Sequence, residues 1–176
     1  MSLITTVLLI IHIGYSAFCY LTLFYDPSLN AWLSYPLMAA VCLHAVLGMA
    51  SVFLQSDGTR LDLYPEYNRQ TILQRLSAAL IFPLLILHLN TYDLLSKAQE
   101  NGYVFLMVLL LIVDLLFYGV IIMHTSVSFS RALITLGILR SRKKQRICDR
   151  SAAVVGAIIF IFAAIAITKG RIDIFF

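Results

Sequence analysis

Polar positions in this chain gather into short segments. Between them lie five apolar runs, roughly 3–24, 32–54, 71–89, 103–125 and 151–168. Runs of this kind read as spanning helices, since about 20 residues at a rise of 1.5 Å cross a hydrocarbon core of about 30 Å. The first connection, "YDPSLNAW", has the character of a turn: Asp26-Pro27 ends one helix, and Trp32 takes the place of an interfacial aromatic. The first run lacks a basic leading segment, and aromatics crowd "YSAFCY", so it reads as a retained helix rather than a cleaved signal peptide. The expected architecture is an all-α membrane protein, a single transmembrane domain over 1–176 with five helices in a bundle.

Composition agrees with the pattern. Residues are 61% hydrophobic and only 12% charged, with a mean hydropathy of +0.91. A soluble domain carries about twice that charge fraction. Short connections leave no room for a soluble domain, so the work is expected inside the bilayer or through docked partners. Nothing points to nucleic acid. Cys19, Cys42 and Cys148 are scattered, without metal-ligand spacing, and read as packing residues plus one loop thiol.

Charge adds an orientation. The second and fourth connections and their flanks carry Arg60, Arg69, Arg75, Arg131, Arg140, Arg142, Lys143, Lys144, Arg146 and Arg150, against Lys97, Lys169 and Arg171 on the other side. The positive-inside rule places the richer side in the cytoplasm, with the N-terminus cytoplasmic and the C-terminus outside. The tract "RSRKKQR" reads as a topology signal in contact with lipid, and it could also receive a docked protein.

The candidate chemistry lies in the histidines. His12, His44, His88 (in "LLILHLNTYD") and His124 fall in four different apolar runs; the fifth run and the connections have none. An ionisable side chain inside a membrane is a functional candidate by default. Each one alone reads as a histidine hydrogen-bonded to a neighbouring helix. Together, two pairs of imidazoles could each clamp a planar iron porphyrin between helices. Zinc is the rival, and it would want all four close together. Gly48 and Ser128 each follow a histidine by four residues, which leaves room for a flat macrocycle or for close helix packing. By depth, His88 lies toward the outer face and His124 toward the cytoplasm, so these two cannot share one group. His12 and His44 are near mid-membrane, and depth does not assign them.

These residues resemble the dihaem cytochrome b membrane anchor of the succinate dehydrogenase and quinol:fumarate reductase family, the five-helix, single-subunit kind. The likeness runs through all five helices. It rests on "CLHAVLGM" around His44, on Gln74 and Ser77-Ala78 ahead of His88, on "HTSVSFSRALITLG" with Arg131 seven residues after His124, and on the closing "TKGR". The resemblance implies two haem b groups, His44 with His124 binding the inner iron and His12 with His88 the outer. It implies Arg131 near the haem propionates, with Ser77 and Arg75 as weaker candidates. It implies a flavoprotein subunit and an iron–sulfur subunit docked on the cytoplasmic face, and a quinone (menaquinone or ubiquinone) as substrate. The chain itself would carry electrons and react with quinone, leaving succinate and fumarate chemistry to its partners. The expected location is the cytoplasmic membrane of a bacterium.

Some positions depart from the family or stay open. A glutamate found two residues before the fourth-helix histidine in some members is Ile122 here, which puts that proton path in doubt. Asp114 lies mid-helix, where a carboxylate must be protonated or paired, and it is a candidate for proton transfer or for bonding a neighbouring helix. By location alone, Tyr25, Asp26 and Trp32 mark a possible quinone site, while Asp93 and Glu100 read as solvated loop charges. Three other readings remain: a cytochrome b subunit of a hydrogenase or formate dehydrogenase, a related anchor that has lost one haem, and a haem-free scaffold or transporter.

Overall fold

The computed structural model describes residues 2–54 and 65–176, without the side chains of 51–54 and 65–68. The part of the second connection that carries Arg60 lies outside the described residues. Five helices follow in order: α1 Ser2–Thr22, α2 Pro27–Leu54, α3 Pro65–Glu100, α4 Val104–Thr135 and α5 Arg142–Phe175. All five are long and apolar enough to cross a membrane.

The helices outrun the apolar stretches. At 1.5 Å per residue, the 36 residues of α3 span about 54 Å, well beyond a hydrocarbon core of about 30 Å. Backbone hydrogen bonding therefore continues after the sequence turns polar. Several charges expected in connections are helical instead. Lys97 and Asp93 pair on α3, Arg131 lies on α4, and Lys143, Lys144, Arg146 and Arg150 ride the first turns of α5. Ser141 caps α5 by accepting from the Lys144 N–H. Arg171, expected just past the last helix, lies inside α5 and is buried.

The first turn also differs. Asp26 is the cap that starts α2 rather than the end of α1. Its carboxylate accepts from the Ser28 hydroxyl (2.6 Å) and from the N–H groups of Ser28 (2.8 Å) and Leu29 (3.2 Å), with Pro27 in the first helical position. The α3–α4 and α4–α5 turns close on glycines with positive φ, Gly102 and Gly137. In each, the N–H of the glycine and of the following residue bond back to the last helical carbonyls: Gly102 to Gln99, Tyr103 to Ala98, Gly137 to Ile134, Ile138 to Leu133.

Packing sets the position of the site. α4 packs against α3 and α5, and α1 packs against α2 and α5. Two glycines allow the α5 contacts. A Cβ on Gly156 would collide with the Ser126 hydroxyl, and one on Gly170 would stand 2.9 Å from Tyr20 Cα. Among the described residues, α2 has no Cα within 8 Å of α3 or α4, and α1 has none within 8 Å of α3. The bundle is therefore open on one side. The α1–α2 hairpin faces α3 across a slot whose floor is the contact of α1 with α4, over a core of Leu9, Ile13, Leu37, Phe117, Tyr118 and Ile122.

Candidate functional site

The four histidines face this slot from its two walls. α1 and α2 carry His12 and His44 on one side; α3 and α4 carry His88 and His124 on the other. His44 and His124 meet across it, and His12 shares a cavity with His88. The ring centroids of His44 and His124 are 6.4 Å apart. Two imidazoles on opposite sides of one metal ion, each with a metal–nitrogen bond of about 2.0 Å and a ring radius of about 1.1 Å, would place their centroids about 6.2 Å apart. His12 and His88 line one cavity of about 780 Å³ between the walls. That volume falls in the range of about 300–1,000 Å³ that cofactor sites occupy. No cluster of three or more His, Cys, Asp or Glu forms among the described residues.

What the protein does with the other ring nitrogen differs between the pairs. His88 Nδ1 lies 2.7 Å from Asp114 Oδ1. With Asp114 as the acceptor Nδ1 carries the shared proton, and a neutral His88 then leaves Nε2 as its lone pair. The His88 ring stacks on Phe117 (4.6 Å between centroids) with the Tyr118 ring edge-on at 5.5 Å. Asp114 is 1% exposed, and its Oδ2 accepts from Arg171 Nη2 at 3.2 Å. The paired alternative expected for Asp114 is the one observed, with a partner on each side of it.

In the other pair, His124 Nδ1 lies 2.9 Å from the Ser77 hydroxyl, which is itself 3.0 Å from the Gln74 carbonyl. A hydroxyl has one proton. Ser77 gives it to Gln74, so Ser77 accepts from His124 Nδ1, and Nε2 is again the lone pair. The Gln74 side chain accepts from Arg131 Nη1 at 2.8 Å, and Thr71 accepts from Arg131 Nη2 at 2.9 Å. Arg131, two turns after His124, is thus tied to α3 through the residues that orient His124. Ser77 touches the histidine directly. His12 Nδ1 is buried without a hydrogen-bond partner among the described residues, as is the Ser128 hydroxyl. A Cβ on Gly48 would meet nothing within 4 Å, so that side of α2 has room.

Arg171 escaped the sequence reading, which set it among loop charges. The signal that could have found it is the continuing helical spacing of Ile167, Gly170, Arg171 and Phe175, all buried on one face of α5. Of the positions suggested for quinone, Tyr25 lines the cavity, Asp26 is engaged in capping, and Trp32 is 78% exposed. Ile122 packs in the core. Compared with protein-family models, curated proteins and solved structures, the chain finds no match.

Proposed function

We propose that the chain is the dihaem cytochrome b membrane anchor of a succinate:quinone oxidoreductase, either succinate dehydrogenase or fumarate reductase. The observation that carries the reading is the slot: helices held apart, with two histidine pairs facing across it and Nε2 of His88 and His124 left as a lone pair. Zinc or plain hydrogen bonding between helices would call for the walls to close. A flat macrocycle calls for them to stand apart.

In this reading His44 and His124 hold the inner haem, and His12 and His88 the outer. Haem iron supplies one-electron carriage between an iron–sulfur subunit on the cytoplasmic side and a membrane quinone. The chain's own residues do the rest. Asp114 and Ser77 fix which nitrogen faces the slot. Phe117 and Tyr118 hold the His88 ring in place, and the apolar lining of Leu37, Val41, Ile81 and Leu85 excludes water. The basic first turns of α5, with Arg140 beside them, form the face on which the flavoprotein and iron–sulfur subunits dock. The N-terminus is cytoplasmic and the membrane is that of a bacterial cell.

The test is a reduced-minus-oxidised visible spectrum of the purified protein with haem quantified per chain. About two b-type haems per chain is the expected result. A colourless protein, expressed with ample haem, overturns the reading.

A further inference from the structure

We propose that Arg171 is the positioning residue of the outer pair. Held in an aromatic cage, it fixes Asp114 so that His88 presents Nε2, and not Nδ1, to the cavity. The part of this that concerns iron rests on the proposed function; the part that concerns the His88 ring does not.

Arg171 is 3% exposed and sits where α1, α3 and α5 converge. Its guanidinium carbon lies 5.2 Å from the centroid of the Tyr20 ring, 5.7 Å from that of Phe175 and 6.0 Å from that of Tyr92. These are distances at which an aromatic face attracts a cation. Nε and Nη1 are buried and find no hydrogen-bond acceptor among the described residues. The hydrogen bond the guanidinium does make goes from Nη2 to Asp114 Oδ2. The three rings thus hold the cation, and the cation holds one oxygen of the carboxylate. The other oxygen is left directed at His88 Nδ1.

Gly170 makes this geometry possible. With no Cβ there, α5 comes close enough to Tyr20 for the next residue, Arg171, to reach its ring.

Without Arg171 the carboxylate has no second anchor, and the terminal torsion of an aspartate is soft. His88 then has no fixed acceptor, and either ring nitrogen can carry the proton. Loss of such an outer partner typically lowers metal affinity about 10–100-fold. The inner pair, oriented by Ser77 and Gln74, is untouched.

The experiment compares wild type, Arg171→Gln and the double variant Asp114→Asn/Arg171→Gln. The double variant keeps the site neutral, so it avoids the buried unpaired charge that could unfold the single one. In haem-free protein with ¹⁵N-labelled histidine, His88 is assigned by its loss in His88→Ala. The expected result is an Nδ1-protonated His88 in wild type and a mixture of tautomers in the variants, with His124 unchanged in all three. In haem-loaded protein, outer haem affinity falls about 10–100-fold and inner affinity does not. An unchanged His88 tautomer in the folded double variant overturns the role of Arg171, whatever the haem content. Equal weakening of both haems also overturns it, because that is what loss of general packing would do. A colourless wild type removes the cytochrome reading alone, and the tautomer readout still decides the role of Arg171.

Discussion

The two histidine pairs share one side chain but are held in opposite ways. His88 is backed by charge: a buried carboxylate neutralised by a buried guanidinium. His124 is backed by neutral groups: a serine hydroxyl, then a backbone carbonyl. A carboxylate on Nδ1 makes the imidazole a more basic ligand than a hydroxyl does, and so favours the more oxidised metal. On the proposed function, the difference makes the outer haem the harder one to reduce. One fold could in this way set two potentials while keeping bis-histidine ligation at both sites.

On the proposed function, the largest effects come from removing the histidines that would hold the haems. His88→Ala is expected to lose the outer haem and keep the inner, and His44→Ala the reverse, each leaving about half of the spectral amplitude. If either substitution bleaches both haems, the two sites are not independent and the comparison fails.

Breaking the charged side comes next. Asp114→Leu leaves Arg171 buried without its partner and should destabilise the protein by roughly 3–5 kcal/mol, seen as earlier unfolding in detergent. Asp114→Asn keeps the shape and should raise the outer midpoint potential by roughly 60–120 mV, one to two decades at 59 mV each, with the inner haem unmoved. Gly170→Ala should push α5 away from Tyr20 at a cost of about 1–3 kcal/mol. It should release the outer haem before the inner one in a thermal ramp.

The neutral side should respond less. Ser77→Ala removes the acceptor of His124 Nδ1, which costs about 1–3 kcal/mol as an unmet buried donor. The inner potential should move by less than the outer one does in Asp114→Asn. A larger shift at Ser77 than at Asp114 would invert the comparison.

The smallest effect is at the α2 cap. The Ser28 hydroxyl, followed by the N–H groups of Leu29 and Ser28, holds the Asp26 carboxyl below the usual carboxylate range. Its contribution is therefore present at and above that range, and is lost as pH falls through the lowered value. Asp26→Asn, which still caps, should abolish this acid-side loss of α2 helicity, measured by hydrogen exchange at the start of the helix.

Much of this was legible in the chain. The five spans follow from long apolar runs, because a bilayer tolerates few charges and the helix satisfies its own backbone. The candidate histidines stand out because four of the runs carry one each and the connections carry none. The ends of the helices were not legible, since hydrogen bonding continues past the membrane edge into sequence that looks like loop: Arg131, the tract from Arg142 and Arg171 all lie on helices. The partner of Asp114 was not legible either. Arg171 is 57 residues away in sequence, and only the packing of α5 on α4 brings it in. Nor could spacing say that Ser77 bonds His124 rather than lying near His88, because that contact is set by how α3 and α4 pack.

The most direct test is a potentiometric titration of the visible spectrum, run on wild type and Asp114→Asn. The account predicts two b-type components of unequal midpoint, with the lower one moving up in the variant and the higher one staying in place. Two components that move together, or a variant in which only the higher one moves, would contradict it.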